Sequence, residues 1–159
     1  MTPVMNQVYV YSPVGMWVIG EEGNSICQVD FVGEMTASIT KESSPLLGEA
    51  AEQLREYFHG QRKTFSLPYH VKGTPFQEAV WQALCEIPYG RTCSYQDIAK
   101  KVGRPKAMRG VGGANHRNPI SILIPCHRVI GKDGSLVGYG GGLEAKKFLL
   151  DLEQKFSDY

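Results

Sequence analysis

The chain has 159 residues, 42% of them hydrophobic, enough for one ordinary domain or two small ones with buried cores. No apolar run is long enough to span a bilayer, and Met1-Thr2-Pro3-Val4-Met5 does not begin a secretory signal, so a cytoplasmic location is expected. The net charge of +1 is strongly segregated: residues 1–90 carry 5 basic and 10 acidic side chains, residues 91–132 carry 9 and 1, and residues 133–159 carry 3 and 5.

Three period-two runs open the chain, Val8-Tyr9-Val10-Tyr11, Met16 to Gly20 and Ile26 to Val32. Ser12-Pro13-Val14-Gly15 and Glu22-Gly23-Asn24-Ser25 supply turns between them, so a small antiparallel sheet is expected. From Pro45 to His59, residues Leu46, Leu47, Ala50, Leu54, Tyr57 and Phe58 share roughly one helical face, and Gly60 is placed to stop that helix. The polar stretch 61–73 reads as a linker, dividing the chain into units 1–72 and 73–159. Thr74 then caps a helix with Pro75 in its first position and Gln77 completing a capping box; Phe76, Val80, Trp81, Leu84 and Ile87 form its apolar face.

Ser94 caps a short helix, Tyr95 to Val102, and Gly103-Arg104-Pro105 turns the chain into a second helix from Ala107 to about His116. The pair is a helix-turn-helix pattern. Gly110, Gly112 and Gly113 inside the second helix each cost about 1 kcal/mol relative to Ala. Close approach of a DNA groove wall or of a neighbouring helix would account for them, and both readings stay open at this point. The apolar run Ile120 to Ile124 is expected to set Cys126 at the floor of a pocket. Val129-Ile130 and Leu136-Val137, around Lys132-Asp133-Gly134, read as a hairpin, and 138–142 as a tightly bent loop. A helix from Leu143 to Gln154 closes the chain, with Leu143, Phe148, Leu149 and Leu152 inward.

The chemistry concentrates at Ile124-Pro125-Cys126-His127-Arg128-Val129. Cationic neighbours stabilise a thiolate, and the thiolate is the nucleophile. The net of +8 over residues 91–132 surrounds this motif and points to a polyanion-binding face. Cys27, Cys85, Cys93 and Cys126 contain no C-x-x-C pair, and His59, His70, His116 and His127 stand at no zinc-finger spacing. No metal and no cofactor is expected, and Cys27, Cys85 and Cys93 read as small buried apolar residues.

Pro125-Cys126-His127-Arg128-Val129 resembles the active-site signature of the O6-alkylguanine-DNA alkyltransferases, the methylated-DNA–protein-cysteine methyltransferase family. Gly73-Thr74-Pro75-Phe76-Gln77, Val80-Trp81, Ile87-Pro88-Tyr89-Gly90, Ser94-Tyr95, Arg109-Gly110-Val111-Gly112-Gly113-Ala114, Asn118-Pro119, and Gly141-Gly142-Leu143 with Lys146 and Glu153 fall at family spacing. The resemblance covers residues 73–154 and extends to 1–60 only in pattern. It implies an α/β protein with a small ribonuclease-H-like N-terminal domain. The C-terminal domain would be mostly helical and winged-helix-like, carrying the helix-turn-helix.

The resemblance implies direct-reversal DNA repair. An alkyl group would pass irreversibly from O6 of guanine, and from O4 of thymine, to Cys126, once per molecule. It gives His127 the role of taking the thiol proton through a water, with Glu153 holding the imidazole and Asn118 supporting the network. Tyr95 would assist the departing purine. Arg109 would intercalate from the minor groove of double-stranded DNA, with Ser94, Lys106, Gly110, Gly112, Gly113 and Ala114 on the DNA face. Val129, Tyr139 and Gly140 would line the substrate pocket, Gly140 standing where some relatives carry a serine. A monomer, with no membrane partner, is implied.

Three rival readings fit the residues less well. An alkyltransferase-like lesion binder would lack the cysteine. A regulator using the same helix-turn-helix would leave Cys126, His127 and Glu153 unexplained. A cysteine hydrolase would leave the basic face unexplained.

Overall fold

The computed structural model describes residues 6–33, 44–136 and 142–157. The three alternating runs form an antiparallel sheet of β1 (Asn6–Ser12), β2 (Gly15–Glu22) and β3 (Ser25–Gly33), in the order β1-β2-β3. Val8, Val10, Trp17, Ile19, Ile26 and Val29 bury the face that receives α1 (Pro45–Phe58). Ser44 caps α1 through Leu47 N, and Gly60 follows its end with φ +74°. Leu47, Ala50, Ala51, Leu54, Tyr57 and Phe58 supply the buried stripe, as the 3.6-residue period requires.

Residues 61–73 are more than a linker. Ile26 N donates to Pro68 O at 2.8 Å and His70 N to Ile26 O at 2.9 Å, a parallel bridge on the free edge of β3. Farther along the same edge, Val29 N donates to Pro119 O and Ser121 N to Val29 O, both at 3.0 Å. An edge strand leaves backbone groups to be satisfied, and here two distant segments satisfy them. One of those segments leads directly to Cys126.

The remaining helices are α2 (Pro75–Cys85), α3 (Tyr95–Lys101), α4 (Met108–His116) and α5 (Leu143–Phe156). Thr74 and Gln77 form the expected capping box; Ser94 forms another with Asp97. α3 and α4 are the two helices of the helix-turn-helix and pack on α2. Trp81 ties α2 to α4, its indole donating to Ala114 O at 2.8 Å. The apolar core runs without a break from the sheet through α2 to Val129 and Leu149.

Three expectations need correction. β5 (Val129–Ile130) pairs in parallel with β4 (Cys93–Ser94), so its strand partner is not residue 136. The Lys132-Asp133-Gly134 turn exists nonetheless, closed by Gly131 N to Ser135 O at 2.8 Å; Val137 and the loop 138–141 lie outside the described residues. On α5 the inward stripe is Ala145, Lys146, Leu149, Leu152 and Glu153, and Leu143 is 51% exposed. Leu143 lies two residues, about 200° of helix rotation, before Ala145. Cys85 is exposed, and Cys27 and Cys93 only half-buried.

Candidate active site

Cys126, His127 and Arg128 form a single 3-10 turn immediately before β5, and all three are buried. The turn is reached through a constrained approach. Ile122 has φ +76°, a conformation that costs a β-branched residue on the order of 1–3 kcal/mol and recurs at functional sites. Asn118 braces this approach at both ends. Its Nδ2 donates to Ile124 O at 2.7 Å and its Oδ1 accepts from Ile120 N at 3.0 Å. Asn115, on α4, donates to Cys126 O at 3.2 Å.

Glu153 comes from α5 and is 1% exposed. Its Oε1 accepts from Arg128 Nε at 2.8 Å, and its Oε2 from Arg128 Nη2 at 3.0 Å. Oε2 also lies 2.6 Å from His127 Nε2 and accepts from Tyr57 Oη at 2.5 Å. Arg128 further donates to Ile87 O at 2.6 Å and lies 5.7 Å from the Tyr89 ring centroid. Burial pushes the Glu153 carboxyl up, but His127 and Arg128 outweigh it and hold it well below the usual carboxylate range. Arg128 is permanently charged, so Glu153 stays ionised whether or not His127 carries a proton.

An ionised carboxylate only accepts, so His127 Nε2 carries the hydrogen and the neutral ring presents Nδ1 as an acceptor. Burial pulls His127 below its ordinary value, against Glu153 pulling it up. Nδ1 is buried with no hydrogen-bond partner among the described residues. A buried, neutral imidazole with a free acceptor nitrogen can take a proton.

Burial raises the Cys126 thiol; hydrogen bonds from Asn118 and Ser121 and the charge of Lys146 act in the opposite direction. Lys146 is fully buried on α5 and donates to Val129 O at 2.6 Å. Burial lowers its ammonium to about 8, while Cys126 favours the charged form. Cys126 opens onto a cavity of about 440 Å³ shared with Asn115, Asn118, Ser121 and residues of β3.

Tyr95, Ser94, Arg109 and Gly112 line a separate cleft of about 500 Å³ with Met108 and Lys132. Burial raises the half-buried Tyr95 phenol, and Cys126 raises it further. Arg109, Lys106, Lys100, Lys101 and Arg104 are all exposed. The three glycines of α4 divide. A Cβ at Gly110 would stand 3.2 Å from Phe76, so helix packing explains that one. A Cβ at Gly113 would meet nothing within 4 Å, which leaves bare outer surface. Gly112 is intermediate, 3.8 Å from Tyr95.

The structure thus brings Cys126, His127, Asn118 and Glu153 together, with Tyr95 and Arg109 in the neighbouring cleft. Ala114 is 3% exposed, so its side chain does not belong to the outer face of α4, and its carbonyl accepts from the Trp81 indole. Val129 is fully buried, and its carbonyl accepts from Lys146. Tyr139 and Gly140 lie outside the described residues. Arg128, Lys146 and Tyr57 were not read from the sequence as parts of the site. Arg128 stands in the cysteine signature and Lys146 among the residues at family spacing, neither with a role attached, while Tyr57 showed only as part of the apolar face of α1.

Two family models match the chain. Residues 6–71 match "6-O-methylguanine DNA methyltransferase, ribonuclease-like domain" and residues 75–155 match "6-O-methylguanine DNA methyltransferase, DNA binding domain". The constitutive methylated-DNA–protein-cysteine methyltransferase of Bacillus subtilis (strain 168) is 52% identical over 151 residues, covering 90% of this chain and 92% of the relative. The Methanosarcina barkeri methylated-DNA–protein-cysteine methyltransferase is 47% identical over 149 residues, covering 91% and 94%. The crystal structure of Mycobacterium tuberculosis O6-methylguanine methyltransferase superposes with a TM-score of 0.83 at 38% identity, covering 97% of this chain and 95% of that one. The M. tuberculosis protein in complex with DNA gives 0.83 at 42%, covering 93% and 92%. With both of its parts matched and such identity over nine-tenths of its length, the chain belongs to the 6-O-methylguanine DNA methyltransferase family.

Proposed function

We propose that this protein repairs alkylated DNA by moving the alkyl group from O6 of guanine to Cys126, and that the same site takes O4-alkylthymine. The carrying observation is the buried turn Cys126–Arg128 locked to Glu153, with a free acceptor nitrogen on His127. His127 Nδ1 takes the thiol proton through a bridging water. The thiolate attacks the alkyl carbon in line, the C–O6 bond breaks, and the electron pair leaves on the purine. Tyr95 donates a proton or hydrogen bond to that leaving group, which is general-acid assistance. The thioether left on Cys126 has no route to hydrolysis, so each molecule acts once.

A base inside duplex DNA is out of reach and must be flipped, at a cost of a few kcal/mol. The exposed cations of α3, α4 and their turn, Lys106 and Arg109 among them, fit phosphate contacts. Bare Gly113 and half-covered Gly112 fit close approach of α4 to the minor groove, with Arg109 inserted in place of the extruded base. Minor-groove docking reads little sequence, which suits a lesion that can occur anywhere. Units 1–72 and 73–159 act together as a cytoplasmic monomer.

The test is transfer of a labelled methyl from a duplex carrying one O6-methylguanine. Label should reach the protein up to one equivalent and none should reach Cys126→Ser. Repair beyond one equivalent would mean a turnover enzyme and overturn the mechanism.

A further inference from the structure

We propose that Tyr57, carried by α1 of the N-terminal unit, is a positioning residue for alkyl transfer. Its hydroxyl shares Glu153 Oε2 with His127 and so limits how strongly the carboxylate holds the imidazole. The inference rests on the transfer chemistry proposed above and assigns the N-terminal unit a part in it.

Glu153 Oε2 accepts from three donors: Tyr57 Oη at 2.5 Å, His127 Nε2 at 2.6 Å and Arg128 Nη2 at 3.0 Å. A carboxylate oxygen offers about two lone-pair directions, so these donors compete. Tyr57 is fully buried, and its ring is fixed by Phe65 at 5.5 Å and Tyr89 at 6.3 Å between centroids. Burial first and the Glu153 charge second push its phenol well above the ordinary range. It therefore keeps its proton and acts only as a donor. Every hydrogen bond donated to a carboxylate disperses its charge and lowers its pull on the other donors.

His127 must be neutral to receive the Cys126 proton. A carboxylate with one fewer donor would bind the imidazolium more tightly and keep His127 protonated to higher pH. The groups facing this pair are Arg128 from the 3-10 turn, Lys146 from α5, Tyr57 from α1 and Tyr89 from the loop after α2. Gly90 N adds a weak 3.4 Å contact to Oε1. Of the donors to Oε2, Tyr57 alone comes from the N-terminal unit.

The test is the pH profile of methyl transfer by the full chain, for wild type and Tyr57→Phe, with iodoacetamide alkylation of Cys126 followed in parallel without DNA. The acid limb of Tyr57→Phe should move up by about half a pH unit or more, roughly threefold in rate on the limb, with duplex affinity unchanged. Site-specific 3,5-difluorotyrosine at position 57, a stronger donor that preserves the packing, should move the limb down. An acid limb in the same place for all three proteins overturns the inference, even if Tyr57→Phe unfolds at lower temperature. Failure of wild type to accept a methyl would instead overturn the transfer chemistry, while the alkylation profiles would still report on Tyr57.

Discussion

Replacing Glu153 by Gln removes one charge and keeps the shape, which isolates what the buried carboxylate does. In the protein it receives Arg128 through two nitrogens at 2.8 and 3.0 Å, with both side chains nearly inaccessible. Breaking such a pair from one side leaves a buried, uncompensated guanidinium, which typically costs about 3–5 kcal/mol. The glutamine NH2 adds to this, because it faces donors wherever it is placed. Proteins are stable by about 5–15 kcal/mol in total, so Glu153→Gln should remain folded but markedly weakened. For a chain of this size that corresponds to a fall in Tm of about 6–20 °C. Urea and thermal unfolding followed by circular dichroism would measure it. Arg128→Met should lose less than Glu153→Gln, since the remaining carboxylate keeps its Tyr57 and His127 partners. The double variant should cost less than the two single losses added. A Glu153→Gln loss below about 1 kcal/mol, the range of an exposed pair, would refute the account of a dry Arg128–Glu153–His127 network.

The glycines of α4 separate stability from binding. Gly113→Ala should gain up to about 1 kcal/mol in urea unfolding yet weaken duplex affinity by fluorescence anisotropy, while Gly110→Ala should gain nothing because its Cβ meets Phe76. Arg109→Ala should slow transfer from a fully paired duplex by about tenfold or more, and a mismatch opposite the lesion, which lowers the flipping cost, should narrow the deficit in single-turnover assays. Lys146→Met removes a charge that pulls the Cys126 thiol down. Its thiol titration, followed by iodoacetamide labelling against pH, should therefore move to higher pH, with less thiolate at neutrality. In wild type the same support fades as pH rises through about 8, where Lys146 loses its proton.

Local signals were legible and non-local ones were not. Thr74 with Gln77 and Ser94 with the first turn of α3 mark helix starts because capping is a contact across three residues. The nucleophile and its base are adjacent in sequence, so Cys126 and His127 were visible without the fold. The edge of β3 bonds to residues 68–70 and 119–121, and β5 pairs with β4, through backbone groups that every residue carries. Such pairing leaves no side-chain pattern. On α5 two charged residues, Lys146 and Glu153, occupy the inward stripe, which disguised it and drew Leu143 into the expected core. Tyr57 fitted the apolar face of α1 so well that its hydroxyl went unread; only folding sets it against a carboxylate 96 residues away. The glycines of α4 could not be assigned from propensity, because one helix holds one that packs and one that is bare.

The most direct test is the intact-protein mass after mixing with a duplex containing a single O6-methylguanine, followed by peptide mapping and run beside Cys126→Ala. The account predicts the gain of one methyl in place of the thiol hydrogen, located on Cys126, never exceeding one per chain and absent from the variant. Tight duplex binding with no mass change, or a methyl on any other residue, would contradict it.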